Sequence, residues 1–452
     1  MLATWLARDA THDDETLMNR ALSAMTRLSH ALSTSGSGHP EVGKHAEGLF
    51  DLFEENRERL SESTPSAISD KGILALACLV PGEELAAIAR EFMRRQHLKR
   101  AQIEALLIVL SLSDEPAPGQ LLVATGRRYR TAFLQNAARM LVDVVAARRG
   151  WTPDELADRM IPTAGIDSSR TVELDYGPRT FVARLGINLK LSLETVDGKL
   201  LRTLPSPRQG DEGAPAAKVQ LAASRKELTS VVAAQRRRLY DAMCFRREWN
   251  GAQWRELLLG HPIVGVLTTG LVWHIDGIAG RPDLSGVVRT IAGQALDIAQ
   301  DARISVAHST TLSAAEVAAW RETPTLVALG FGQFGASAVD VDGTESHRFD
   351  VEGTPSESFR LRSRARAREL DRGETGDGAS FDEYIKRFDQ AGLEGVVGFS
   401  GSALPETNIP IELGAFSVRR IRRGQGEQVR FSEMPPALLA ELFADYLAFG
   451  AD

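Results

Sequence analysis

The chain has 452 residues, 43% hydrophobic and 25% charged, with a formal net charge of −7. That length exceeds one ordinary core, so two or three domains are expected, and the negative balance speaks against wholesale nucleic-acid binding. The longest apolar runs, 72–80 and 105–112, are too short to span a bilayer.

Two cysteines, Cys78 and Cys244, exclude a disulfide framework and fit a reducing cytoplasm. The opening MLATWLARDATHDD lacks the basic, apolar and small-residue succession of a secretory signal, so a cytoplasmic location is expected. Arginine supplies 45 of the 53 basic residues and lysine only 8. Guanidinium forks suit carboxylate and phosphate recognition. Coding bias and solvated helix faces explain the same excess without any binding role.

Residues 1–60 read as loosely amphipathic helix broken by the Gly/Ser linker STSGSGHPEVG. Residues 61–149 read as a helical bundle or repeat-like region. There KGILALACLV stops at Pro81-Gly82, and Leu85, Ile88 and Phe92 recur at helical spacing. RAQIEALLIVLSLS is apolar on most sides and is expected at the centre. The next helix is expected to bury Phe133, Leu134, Ala137, Leu141 and Val145, and to stop at Gly150.

Residues 150–275 form the next expected region. Thr152, Pro153 and Glu155 open a short helix as cap, first-turn proline and reciprocal partner. TVELDY, TFVARLG, LKLSLET and KLLRTL alternate apolar and polar residues between turn signals, among them Asp197-Gly198, and predict four antiparallel strands. A long helix follows from Ala216 to Phe245, with a stripe of Leu221, Leu228, Val231, Val232, Leu239 and Met243. Arg236, Arg237 and Arg238 fall mostly on its outer side. Asn250 caps GAQWRELLLG, which ends at His261-Pro262; IVGVLTTGLVWHI is helical or strand-like.

Residues 276–452 are expected to form a mixed α/β lobe. ARISVAH reads as a strand, and Ser313 with Glu316 as a reciprocal cap. Residues 346–378 are polar and turn-rich and predict a long mobile loop. EGVVGFSG and GAFSVRRIRRGQGEQVRFS read as strands turning at Gly424-Gln425-Gly426, and PPALLAELFADYLAF as a final helix. The fold class is therefore α+β: a helical array, an antiparallel meander with a helix pair, and a mixed α/β lobe.

The ordered segments GWTPDELADRMIPTAG, LDYGPR, QRRRLYDAMC, W-R-E-L-L, HPIVG and LVW resemble the domain-of-unknown-function family DUF4132. The likeness extends more weakly through ARISVAH, AAW and FGQF. His308-Ser309 stands where members usually have His-Pro, and the usual Pro-Phe-Pro-Gln is reduced to 331–334. The resemblance implies a short form holding the family's C-terminal half, similar to a protein once named a molybdate regulator. It supplies no reaction. Some members are encoded beside AAA+ ATPases, which implies a protein partner of that kind.

No histidine belongs to a His-Glu-x-x-His or Cys/His cluster, so neither a metal nor another cofactor is expected. His261 reads as the end of a helix, bonding the last carbonyls. His308, at a strand end, reads as a structural hydrogen-bonding group. No P-loop is present, GFGQFG lacks dinucleotide spacing, and Ser400 lacks a following histidine. Trp249, Trp254 and Trp273 read as core anchors.

The expected function is that of a non-catalytic scaffold or adaptor that binds a protein, an AAA+ ATPase among the partners. The alternative is an enzyme or binder of an acidic or phosphorylated small molecule, using Arg236, Arg238, Arg246, Arg247, His308 and Gln333. Nucleic-acid binding by the Arg236–Arg247 face is the third reading.

Overall fold

In the computed structural model the described residues are 80–451, apart from 97–98, 114, 130, 324–326, 374–379, 389–390, 403–406 and 423–424. The expected linker at 33–43, Cys78 and the histidines His12, His30, His39, His45 and His97 lie outside them. The described residues carry helices and antiparallel sheets, an α+β architecture. The chain divides into compact units Met1–Pro162 and Thr163–Asp452.

The described residues of the first unit form helices: α1 Gly82–Arg95, α2 Arg100–Leu112, α3 Pro116–Arg128, α4 Ala132–Arg148 and α5 Pro153–Arg159. Pro116 occupies the first turn of α3, where its missing N–H costs no bond. Leu85, Phe92, Ile103, Leu106, Leu122, Leu134 and Leu156 share one core. Side chains close helix ends across this unit: Arg139 Nε donates to Gly126 O at 2.7 Å, and Arg148 Nη2 to Ser111 O at 3.0 Å. Thr152 accepts from Glu155 N at 3.1 Å as the α5 cap. Glu155 does not reach back; it pairs with Arg159 at 3.0 Å.

One expected face of α4 is wrong. Leu134, Ala137 and Val145 are buried, but Phe133 is exposed. Leu134, Ala137, Leu141 and Val145 centre on one side of the helix, and Phe133 lies about 100° round from Leu134, beyond the edge of that side.

The second unit opens with the predicted meander, β1 Thr171–Asp175, β2 Thr180–Leu185, β3 Leu191–Thr195 and β4 Leu200–Leu201, paired in that order. Helix α6, Ala214–Cys244, has 31 residues and is about 46 Å long at the α-helical rise. Its predicted stripe is buried throughout. Gly213 closes the entry to α6: a Cβ there would lie 2.5 Å from Asp175 O.

A six-stranded sheet follows, in the order β5-β10-β6-β7-β8-β9. Its strands are β5 Glu248–Asn250, β6 Trp273–Ile275, β7 Ile278–Pro282, β8 Val288–Arg289, β9 Ala295–Leu296 and β10 Arg303–Val306. Asn250 and Gln253 form a capping box on α7 Gly251–Gln253, which runs into a π-helical turn at Trp254–Leu259. Trp273 meets Trp249 and Trp254 edge to face, with centroids 5.8 and 5.4 Å away. The helical stretch ends at Leu259, just ahead of His261-Pro262, and the His261 ring also serves the helix that follows. Its Nδ1 accepts from Ile263 N and Val264 N, both at 3.2 Å, so it opens α8 Val264–Thr269. The ring nitrogen is an acceptor here, and the free N–H groups lie ahead of it. Ser313 and Glu316 cap α9 Ala314–Glu322 reciprocally.

The segment expected as a mobile loop is largely ordered. It contains β11 His347–Arg348, β12 Pro355–Glu357, α10 Ser358–Ala367 and β13 Asp371–Arg372. Leu361 and Ala365, one turn apart, bury a narrow stripe that the polar composition hides. The last sheet adds β14 Phe381–Phe388, β15 Leu393–Ser402, β16 Pro410–Arg422 and β17 Gln425–Gln428. Its main order is β11-β16-β15-β14-β13, and β12 and β17 also pair with β16. The basic β16 is thus interior, not an edge. The final helix α11, Pro436–Gly450, lies on this sheet, with Tyr446 OH donating to Gly414 O at 3.2 Å. Gly395 admits it closely: an added Cβ would lie 2.5 Å from Leu442.

Candidate functional site

Helix α6 places Arg237, Tyr240, Asp241 and Cys244 at three- and four-residue spacing, hence on one side. Helix α11 offers Glu441 and Asp445, one turn apart, and β14 offers Lys386. These groups meet in a buried polar cluster. Lys386 Nζ donates to Asp445 Oδ2 at 2.7 Å and to Tyr240 OH at 3.1 Å, and lies 4.7 Å from the Tyr240 ring centroid. Arg368 stands 3.6 Å from Asp445. His308 Nε2 lies 3.2 Å from Glu441 Oε1. Cys244, one turn along α6 from Tyr240, is buried beside them.

Burial pushes the Tyr240 hydroxyl well above its ordinary pKa, and the nearby thiol and carboxylates add to the effect. Burial and then Glu441 push the Cys244 thiol up in the same direction. Burial raises Asp445 too, against the pull of Lys386. For Arg237 burial acts downward, but Asp241 and Glu369 outweigh it and raise the value. A nucleophilic cysteine needs its thiolate and a phenolic base needs its phenolate. Both groups are held protonated here. Lys386 is tied to Asp445. The cluster is built to join α6, α11, β14 and the turn after β10.

The sequence-predicted site residues separate into groups. His308 is fully buried and caps the turn Ser309–Thr311: Nδ1 accepts from Thr310 N at 3.1 Å. Gln333 adjoins it, since Ser309 N donates to Gln333 O at 3.1 Å. The Gln333 amide is also consumed. Nε2 donates to Val272 O and Ala307 O, and Oε1 accepts from Val272 N, all at 2.8 Å. Arg236 donates to Ala328 O, on the segment leading to Gln333. Arg238 is half-buried and donates to Gln235 Oε1 at 3.1 Å.

Arg237 reaches Glu369 at 3.0 Å and Arg387 O at 2.7 Å. These three arginines are therefore not an outer solvated face. The 381–388 segment, which sequence patterning left without a strand, covers that side of α6. Arg246 and Arg247 follow the end of α6; Arg246 is exposed with φ of 49°, and Arg247 lies 4.5 Å over the Trp249 ring. The six residues do not form one pocket lining.

Lys386, Glu441 and Asp445 are not singled out by sequence patterning, and Tyr240 stands out only as an aromatic beside the Arg236–Arg247 run. The available signal was a lone lysine among strand-forming residues, and two acids one turn apart on an otherwise apolar helix. Ser400, weighed as a nucleophile, only accepts from Glu412 N at 3.0 Å. Among the described residues no group of three or more His, Cys, Asp or Glu side chains is arranged to hold a metal ion. Among them, too, no helix is long and apolar enough to cross a membrane.

Residues 198–329 match the model of the family described as "Domain of unknown function (DUF4132)". The chain thus carries a DUF4132 domain over that segment, which runs from the β3–β4 turn past α9. It holds Tyr240, Cys244 and His308; Lys386, Glu441 and Asp445 lie outside it. The "Uncharacterized protein YehI" of Escherichia coli (strain K12) is 29% identical over 222 residues, taking in 47% of this chain and 18% of that protein. The chain therefore matches less than a fifth of that relative's length. No solved structure matches the chain.

Proposed function

We propose that the chain is a non-catalytic interaction scaffold or adaptor that engages a partner protein through its helical unit. One observation carries this reading. Phe133, Met140 and Val144 of α4 are 53%, 63% and 60% exposed. They recur along one side of the helix, and the uncharged Asn136 and Ala147, also exposed, stand in the same row. Ile108 and Leu112 of α2, one turn apart, are about half exposed. The Arg148–Ser111 bond brings the C-terminal ends of α2 and α4 together. Contiguous exposed apolar groups mark interaction surfaces more often than scattered ones do. The partner suggested by the family resemblance is an AAA+ ATPase system, and the compartment suggested by cysteine usage is the cytoplasm.

The buried cluster supports the same reading, because its ionisable groups are spent on internal bonds. The meeting of His308 and Gln333 favours the alternative, a binder of an acidic or phosphorylated small molecule. Their internal hydrogen bonds weigh against it. The test is affinity capture with crosslinking from the native host, comparing the parent chain with Met140→Asp/Val144→Asp. An AAA+ component that crosslinks to α4 and is lost with the double variant supports the proposal. Undiminished capture, or turnover of nucleotide or peptide that disappears in His308→Ala, overturns it.

A further inference from the structure

Helix α10, SFRLRSRARA, contains four arginines and no acid, and Arg368 follows it. The arginines divide by direction. Arg364 donates to Phe449 O and Ala451 O, closing the C-terminal end of α11. Arg368 pairs with Asp445, and Leu361 and Ala365 are buried on the same side. The opposite side carries Phe359, Arg362, Ser363 and Arg366, with Arg360 beside them. Phe359, Arg360, Ser363 and Arg366 are exposed.

Arg362 lies 4.4 Å over the Phe359 ring, and Arg372 of β13 lies 5.0 Å over Phe381. Phe381 meets the buried Tyr384 ring at 5.4 Å, Tyr384 meets Phe449 at 6.2 Å, and Arg364 of α10 bonds the Phe449 carbonyl, so helix and strand stand against one aromatic group. Arg360, Arg366 and Arg372 have no ion-pair partner among the described residues. The chain has 60 acids to 53 bases, yet it places none within this helix. Other arginines of the unit are paired, as in the chain Arg387–Glu394–Arg419–Glu383 across the adjoining sheet.

We propose that the outward face of α10, with Arg372, is a docking site for an acidic segment of a partner protein. Charge complementarity selects the occupant. Stacking on Phe381 takes up the face of the Arg372 guanidinium and leaves its N–H rim to grip a carboxylate bidentately. A polynucleotide fits less well: its affinity rests on many phosphate contacts, and the chain's net charge of −7 repels a long polyanion. This site is separate from the α4 stripe, so either can fail without the other.

The test uses the full chain and a fluorescein-labelled octaglutamate peptide, read by anisotropy at low salt. A labelled oligothymidylate of equal charge is the second probe. Arg360→Glu/Arg366→Glu/Arg372→Glu is compared with the charge-matched Arg208→Glu/Arg246→Glu/Arg289→Glu. Circular dichroism confirms that both variants fold. The expected result is salt-sensitive peptide binding that the first variant weakens by at least about tenfold and the second spares. Absence of peptide binding, equal weakening by both variants, or tighter binding of the oligonucleotide overturns the proposal.

Discussion

On α4 of the helical unit Phe133, Met140 and Val144 keep large apolar side chains in water, whereas the sheet-bearing unit takes Lys386 and Asp445 out of it. Both arrangements invert the ordinary sorting of side chains. Their energetic consequences differ. An exposed apolar group is solvated before and after folding, so it costs the folded state little. A buried charge loses hydration on folding and recovers it only through its partners. The first arrangement leaves a surface that another molecule can cover. The second dictates how α6, α11 and β14 close on one another, because any other docking leaves a charge unpaired.

The largest expected effect is at the lysine. Lys386→Met leaves Asp445 with Arg368 alone, at 3.6 Å, and the loss should approach the figure of about 3–5 kcal/mol for a broken buried pair. Urea unfolding measures it, and Lys386→Met/Asp445→Leu should recover most of the loss. A single variant within about 1 kcal/mol of the parent would show that the cluster does not hold these elements together.

A second contrast lies within the sheet-bearing unit, between two carboxylates. Hydrogen bonding from Arg179, then from the Arg208 N–H, lowers Asp211 below the usual carboxylate range. Its contribution is complete above the unfolded pKa of about 4 and is lost as pH falls through the lowered value. Asp445 is raised by burial, so its contribution is complete below the ordinary carboxylate pKa and is lost as pH rises through the raised value. Arg179→Met should therefore flatten the fall in stability below about pH 4, seen as a shallower dependence of the urea midpoint on pH. An unchanged acid limb removes Asp211 from the account.

The smallest expected change in stability is in the helical unit. Met140→Asp and Val144→Asp should stay within about 0.5 kcal/mol of the parent by thermal unfolding, since both positions are already solvated. A loss of several kcal/mol would mean that these side chains are packed, and would erase the difference between the two regions.

Local patterns in the sequence anticipated much of the architecture. Alternation and the Asp197-Gly198 turn predict the meander, and the α6 stripe is readable from its three- and four-residue spacing. The Ser313–Glu316 box marks the start of α9. The failures share one character. Phe133 was assigned to the wrong side because an apolar residue next to a buried one reads as core. Helix α10 was taken for a loop because two buried residues, Leu361 and Ala365, are too few to outweigh so many arginines. The sequence marks the helix end before His261, but only geometry shows that its ring nitrogen accepts from the N–H groups that follow.

By itself the sequence determined the α+β class, the meander, the long helix, the tryptophan anchors and the family likeness. Tertiary structure alone decided which polar groups meet. Lys386, Tyr240, Asp445, Glu441 and His308 come from four separated stretches, and no local spacing relates them. Hydrophobic periodicity is written along the chain because it reflects local backbone geometry, but a buried ion pair depends on how distant elements dock. The same holds for the arginines of α6 and α10: their spacing is visible in the sequence, and whether each faces a carboxylate, a carbonyl or water is set only when the chain closes.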